Sequence, residues 1–213
     1  MSRDAHGMPP EYDPERDVVL DARSLRGIAH PLRPKLLGML RRDGPSTATK
    51  LAEQLGLSSG ITSYHLRQLA AYGFIAEDTG RGHGRERWWR AAHRSTRFDQ
   101  AAIRATGAAE GADEEELDAL SDEYLQSVAD IYASKVREWL GSASRLPAKW
   151  RDTGTLSDIL LRLTPEETER LQSEIDELLS RYRRDAVADT TDVPRDARRV
   201  AVQWQVFPWA NRD

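Results

Sequence analysis

The chain has 213 residues, no cysteine, 31 Lys plus Arg against 35 Asp plus Glu, and a mean hydropathy of -0.66. The lack of cysteine excludes a disulfide scaffold and any thiolate metal site, while the length accommodates two small domains with a core that folds without covalent staples. No apolar run approaches the roughly 20 residues needed to span a bilayer, and the N-terminal MSRDAHGMPPEYDPERD lacks the apolar stretch of a secretory signal, so no membrane association and a cytoplasmic location are expected.

A net charge of -4 conceals an asymmetry. Residues 21–97 hold 14 Lys or Arg and 6 Asp or Glu, a net of +8, which leaves 17 against 29, a net of -12, for the remainder. Phosphate neutralisation needs local positive charge, so this distribution suits a nucleic-acid-binding module joined to a partner or sensor module. The alternative is solvated arginine on ordinary surface helices.

Residues 1–16, with Pro9, Pro10, Pro14 and Gly7 and little apolar content, read as a disordered arm. From Val18 the apolar residues Val19, Leu20, Leu25, Ile28 and Ala29 predict a helix ending at His30-Pro31. A second helix follows from Leu32 to Arg42 and stops at Asp43-Gly44-Pro45. Ser46 or Thr47 caps a third, which carries Leu51, Ala52 and Leu55 and ends at Gly56 in a left-handed turn. Ser58 or Ser59 caps the next, expected over 58–72: Thr62, Leu66 and Leu69 share one face, and Ser59, Ser63, Tyr64 and Arg67 fall off it. After Gly73, the runs Phe74–Asp78 and Arg85–Arg90 flank a glycine-rich tip and predict a hairpin whose basic wing covers 79–87. Trp88 and Trp89, being adjacent, face opposite sides of their strand.

Past Arg97 the composition changes. Ala- and Gly-containing residues lead into Asp113-Glu114-Glu115-Glu116, which favours a helix N-terminus, and a long helix to Leu140 with Leu117, Leu120, Tyr124, Val128, Ile131 and Trp139 as its apolar stripe. Residues 156–163 read as strand or short helix. Thr164-Pro165-Glu166-Glu167 is a capping box with proline at the first helical position, and Val200, Val202, Trp204 and Val206 alternate like a strand. The C-terminal part is therefore expected to contain a strand, helix, strand unit.

Helix, turn at Gly56, second helix and basic hairpin is the order of a winged helix-turn-helix. Ala52 lets the two helices approach and Leu57 is expected to plug the angle between them. The second helix can then enter a major groove about 12 Å wide, while Arg81, His83, Arg85 and Arg87 reach phosphates or the minor groove. The fold class expected is mainly α with small β (α+β): a winged helix over 17–97 and a dimerisation and effector-sensing part over 98–213.

Leu25-Arg26-Gly27-Ile28-Ala29-His30-Pro31-Leu32-Arg33, Lys50-Leu51-Ala52 and Ser63-Tyr64-His65-Leu66-Arg67-Gln68-Leu69 together resemble bacterial ArsR-type transcriptional regulators over residues 20–92. That resemblance implies a homodimeric winged helix that binds operator DNA and represses, with base or phosphate contacts from Ser59, Ser63, Tyr64 and Arg67. The full DNA-facing set expected is Thr47, Thr49, Ser58, Ser59, Ser63, Tyr64, His65 and Arg67, with Arg81, His83, Arg85 and Arg87 on the wing. The chain departs from the metal-sensing members in having no thiolate ligands, and His6, His30, His65, His83 and His93 show no paired helical spacing, so no metal is expected.

Tyr124, Tyr132, Trp139 and Trp204 are candidates to line a small-molecule effector pocket, against the plainer reading as core or dimer interface. No phosphate-binding glycine loop of the nucleotide-binding kind, HExxH or nucleophile elbow occurs, so neither an enzyme nor a cofactor is expected. The rival to DNA binding is a winged helix used for protein contact.

Overall fold

The structure is a computed structural model that describes residues 17–81, 86–182 and 193–209. The arm expected over 1–16 lies outside them. The chain divides into two units, one reaching to Ser134 and the other beginning at Lys135.

The first unit is an α+β winged helix-turn-helix. Its elements are β1 (Asp17–Val19), α1 (Ala22–Ile28), α2 (Leu32–Asp43), β2 (Ser46–Thr47), α3 (Ala48–Leu55), α4 (Ser59–Ala71), β3 (Ile75–Glu77), β4 (Trp88–Ala91), β5 (Ser95–Arg97), α5 (Gln100–Glu110) and the greater part of α6 (Glu114–Ser142). The helix expected from Val18 is a strand followed by a shorter helix. Asp21 halts α1 there: its carboxylate accepts from Ser24 N at 2.7 Å, and Ser24 Oγ accepts from Asp21 N at 2.8 Å.

The wing is one strand larger than the sequence pattern indicates. β4 is the centre of a three-stranded antiparallel sheet in the order β2-β4-β3, with Thr47 opposite Trp88, Ser46 opposite Trp89 and Ala76 opposite Arg90. Trp89 is buried and Trp88 half-buried, as alternation requires. A separate parallel pair sets β1 beside β5, Asp17 opposite Ser95. Asp17 is buried and accepts from Arg94 Nε and Nη2, both at 2.9 Å, and from Ser95 Oγ at 2.6 Å. Arg41 of α2 reaches the same strand, donating to the carbonyls of His93 and Ser95 and to Thr96 Oγ1.

One core joins all these helices. Leu20, Leu25, Ile28, Leu36, Leu37, Leu51, Leu66, Leu69 and Phe74 are fully or nearly fully buried, together with Ile103 of α5 and Leu117 and Tyr124 of α6. The winged-helix unit therefore continues well past Arg97, because α5 and α6 bury their apolar stripes against it; Thr106 Oγ1 accepts from Ala22 N at 3.0 Å and satisfies an orphan donor at the start of α1.

Gly27 is one of the close approaches in this core. A Cβ there would collide with the Tyr72 ring at the C-terminal end of α4. Gly27→Ala is expected to cost about 1–3 kcal/mol by overpacking, read as a lower urea midpoint with unchanged slope; a change below the noise would mean that Tyr72 swings aside freely.

In the second unit, a 3-10 turn (Ala143–Arg145), α7 (Ala148–Arg151) and α8 (Pro165–Ser180) follow α6 among the described residues. α8 starts as expected: Thr164 Oγ1 accepts from Glu167 N at 3.2 Å and Glu167 Oε2 accepts from Thr164 N at 2.8 Å. Residues 155–163 form neither strand nor helix, and 200–209 form no strand. Neither segment has a ladder partner among the described residues, so the expected strand, helix, strand unit is not made.

Candidate nucleic-acid interface

The turn between α3 and α4 is built from local chemistry. Thr47 caps α3 by accepting from Lys50 N at 3.4 Å, Gly56 ends it with φ of +65°, and Leu57 N donates back to Ala52 O at 2.9 Å. That pairing is a Schellman-type close, which only a residue comfortable at positive φ permits. Ser58 then caps α4 through Ile61 N at 3.3 Å. Ala52 is buried at the helix crossing as expected. Leu57 is not the plug: it is exposed, and half-buried Leu55 packs on the core instead.

α4 is held by one face. Thr62, His65, Leu66 and Leu69 are buried, and Thr62 Oγ1 donates to Ser58 O. The opposite face carries Ser59, Gly60, Tyr64 and Arg67, all exposed, with half-buried Ser63 beside them. Tyr64 and Ile61 are each 50% exposed. Ile61 was not among the expected contacts, although an isoleucine among Ser, Gly and Thr at the outer start of a helix is itself a signal: an apolar group there can meet a thymine methyl. A Cβ at Gly60 would meet only Ser58 Oγ, at 4.0 Å, an ordinary contact.

Two expected contacts point inward. Thr47 is buried and spent on its cap, and His65 is buried against His30 with ring centroids 4.2 Å apart. Both position the reader rather than face a ligand. Thr49 and Ser58 are exposed at the start of α3 and in the turn.

His30 Nδ1 accepts from Leu32 N at 3.2 Å, whereas His65 Nδ1 is buried without a partner. Burial first, then the His30 ring and the Arg33 guanidinium, hold His65 below the ordinary imidazole value. The folded state therefore binds fewer protons than the unfolded one just below pH 6.5, and stability present above that value is lost as pH falls through it. His93, lowered by burial and Arg41, acts in the same direction. His65→Gln is expected to reduce, not abolish, the drop in urea midpoint between neutral and mildly acidic pH; an unaltered drop would show that His65 carries none of it.

On the wing, Arg81 and Arg87 are exposed. Arg81 Nε lies 3.2 Å from Asp78 and Arg87 Nε 3.8 Å from Glu77. Such solvated pairs contribute at most about 1 kcal/mol and exchange readily for phosphate. His83 and Arg85 lie outside the described residues. Two further cations join this surface: Arg90 is exposed on β4, and Lys50 Nζ sits 4.4 Å from the Trp88 ring centroid, which pins the start of α3 to the wing.

Not all of the positive charge is available. Arg94 is committed to Asp17, Arg41 to backbone carbonyls, Arg33 to the carbonyls of Arg26 and Gly27, and Arg26 to Glu116 and Glu110. Burial lowers the Arg41 guanidinium to about 10, leaving it charged at neutral pH.

The four aromatic candidates for an effector pocket are divided between the two units. Tyr124 is core, stacked on Phe98 at 5.8 Å, and burial raises its hydroxyl to about 12. Tyr132 lies in the same unit as Tyr124, and Trp139 and Trp204 in the other. Within that second unit Trp139 packs on the Gly154 backbone, and Trp204 is exposed. Two surface recesses, one lined by Asp122, Glu123, Leu125, Gln126 and Ala129 and another by Pro147, Lys149, Trp150 and residues 195–198, include none of the four.

A three-helix reader with a β-hairpin wing defines a winged helix-turn-helix, a class of DNA-binding regulatory domain. A family described as a helix-turn-helix domain matches residues 28–78, from the end of α1 to the start of the wing. No curated protein matches the chain. No helix among the described residues is long and apolar enough to cross a membrane.

Proposed function

We propose that the protein is a sequence-specific transcriptional regulator of the ArsR type that binds duplex DNA as a homodimer and represses by occupying its operator. α4 enters the major groove with Ser59, Ser63, Tyr64 and Arg67, and the wing places Arg81 and Arg87 on phosphates, with Lys50 and Arg90 beside them. A two-fold dimer sets its recognition helices about 34 Å apart, on half-sites one helical turn apart. The observation that carries this reading is the division of α4: four residues anchor it in the core while the polar face opposite stays uncovered.

The wing carboxylates Asp78 and Glu77 favour a second reading, a module for protein contact, because arginines already paired need no phosphate. Selection of binding sites from a random duplex pool, followed by anisotropy titration at two salt concentrations, separates the two. A DNA reader binds the selected site at least about 10³-fold tighter than scrambled duplex. Equal affinity for both would end the proposal.

A further inference from the structure

The second unit exposes an apolar surface that a lone chain does not need. Eleven large apolar side chains in residues 156–163 and 193–209 are 41–78% exposed, among them Ile159, Leu160, Val200, Val202 and Trp204. At roughly 150–250 Å² per aromatic side chain and less per aliphatic one, this is on the order of 1,000 Å² of apolar surface. Each partner in a stable complex covers about 800 Å².

The backbone repeats the message. No backbone group of residues 156–163 or 200–209 hydrogen-bonds to another backbone group among the described residues. Backbone donors and acceptors left without a protein partner can be satisfied by pairing with a further strand. Residues 200–206 combine such unpaired backbone with an alternating apolar sequence, Val200, Val202, Trp204 and Val206.

Charge selects the occupant. From Val200 to Trp209 the chain has no ionisable side chain, whereas Arg195, Arg198 and Arg199 precede it, offset by one carboxylate, Asp196, which pairs with Lys149. Two copies laid antiparallel about a two-fold axis bring neutral segments together and hold their arginine clusters at opposite ends of the ladder. A parallel pairing would set the arginines side by side. Pro208 lacks an amide donor and ends the ladder.

We infer that residues 200–206 pair antiparallel with the same residues of a second copy, closing the exposed apolar surface of the second unit into a dimer interface. This rests on the homodimer in the proposed function and specifies the surface that makes it.

The full-length protein without DNA tests it by sedimentation at micromolar concentration. Wild type should be a dimer, and the double variant Val202→Lys, Trp204→Lys should weaken dimerisation by about 100-fold or more, with an unchanged far-UV spectrum. The cysteine-free background permits a second measurement that needs no disruptive change: cysteines introduced singly across 200–206 should cross-link most at the position nearest the axis and fall away on both sides. A monomeric wild type, a dimer that survives both lysines, or a scan without cross-links overturns the pairing. Selective DNA binding by a monomer would remove this interface and leave the reading of α4 standing; a dimer that selects no DNA would do the reverse.

Discussion

Arg67→Ala should weaken binding to a selected operator by about 1–3 kcal/mol, or five- to 150-fold, and relax preference at one base position. The guanidinium projects from the uncovered face of α4, and the contact recorded for its Nε is a long 3.3 Å donation to the Ser63 carbonyl one turn back. That interaction is easily exchanged for a base edge, where a bidentate contact to guanine is the most frequent specific use of arginine. Arg87→Ala is the control. Its loss should be similar on selected and scrambled duplex, and it should flatten the dependence of log affinity on log salt by about one unit. Equal behaviour of the two variants on both duplexes would remove the distinction between reader and wing.

Asp17→Ala should cost about 3 kcal/mol of stability. The buried carboxylate accepts both nitrogens of the Arg94 fork and the Ser95 hydroxyl, so truncation strands a charge and a hydroxyl that the fold has largely withdrawn from water. Breaking a buried pair from one side costs about 3–5 kcal/mol, and the Arg94 side chain, 29% exposed, recovers part of that through solvent, which places the expectation at the lower end. Asp17→Asn keeps an acceptor and should fall between. Urea unfolding measures both, and a loss below 1 kcal/mol would reduce this pair to surface strength. Because Arg41 also anchors β5 to α2, the variant should loosen the passage from the wing into α5 before it alters α4.

The reader was legible because its instructions are local. Thr47, Gly56 and Ser58 each act on backbone groups within a few residues, as does the Thr164 to Glu167 box in the second unit, so spacing alone locates them. His65 was not: Ser63-Tyr64-His65 reads as one polar run, and only helix phase combined with the position of His30 turns the imidazole inward. The charge count was likewise correct as a sum and incomplete as a surface, since Arg26, Arg33, Arg41 and Arg94 find carboxylates or carbonyls that lie elsewhere in the fold.

By itself the sequence determined the helix boundaries of the reader, the sharp turn at Gly56, the division of α4 into anchored and open faces, and the cationic wing. Tertiary structure alone decided that β1 pairs with a strand nearly 80 residues away, that α5 and α6 complete the winged-helix core, and that 156–163 and 200–209 join no ladder. The physical reason is separation along the chain. Caps and helical faces are fixed by groups a turn apart, whereas strand partners, buried ion pairs and exposed apolar surface depend on which distant segments come together.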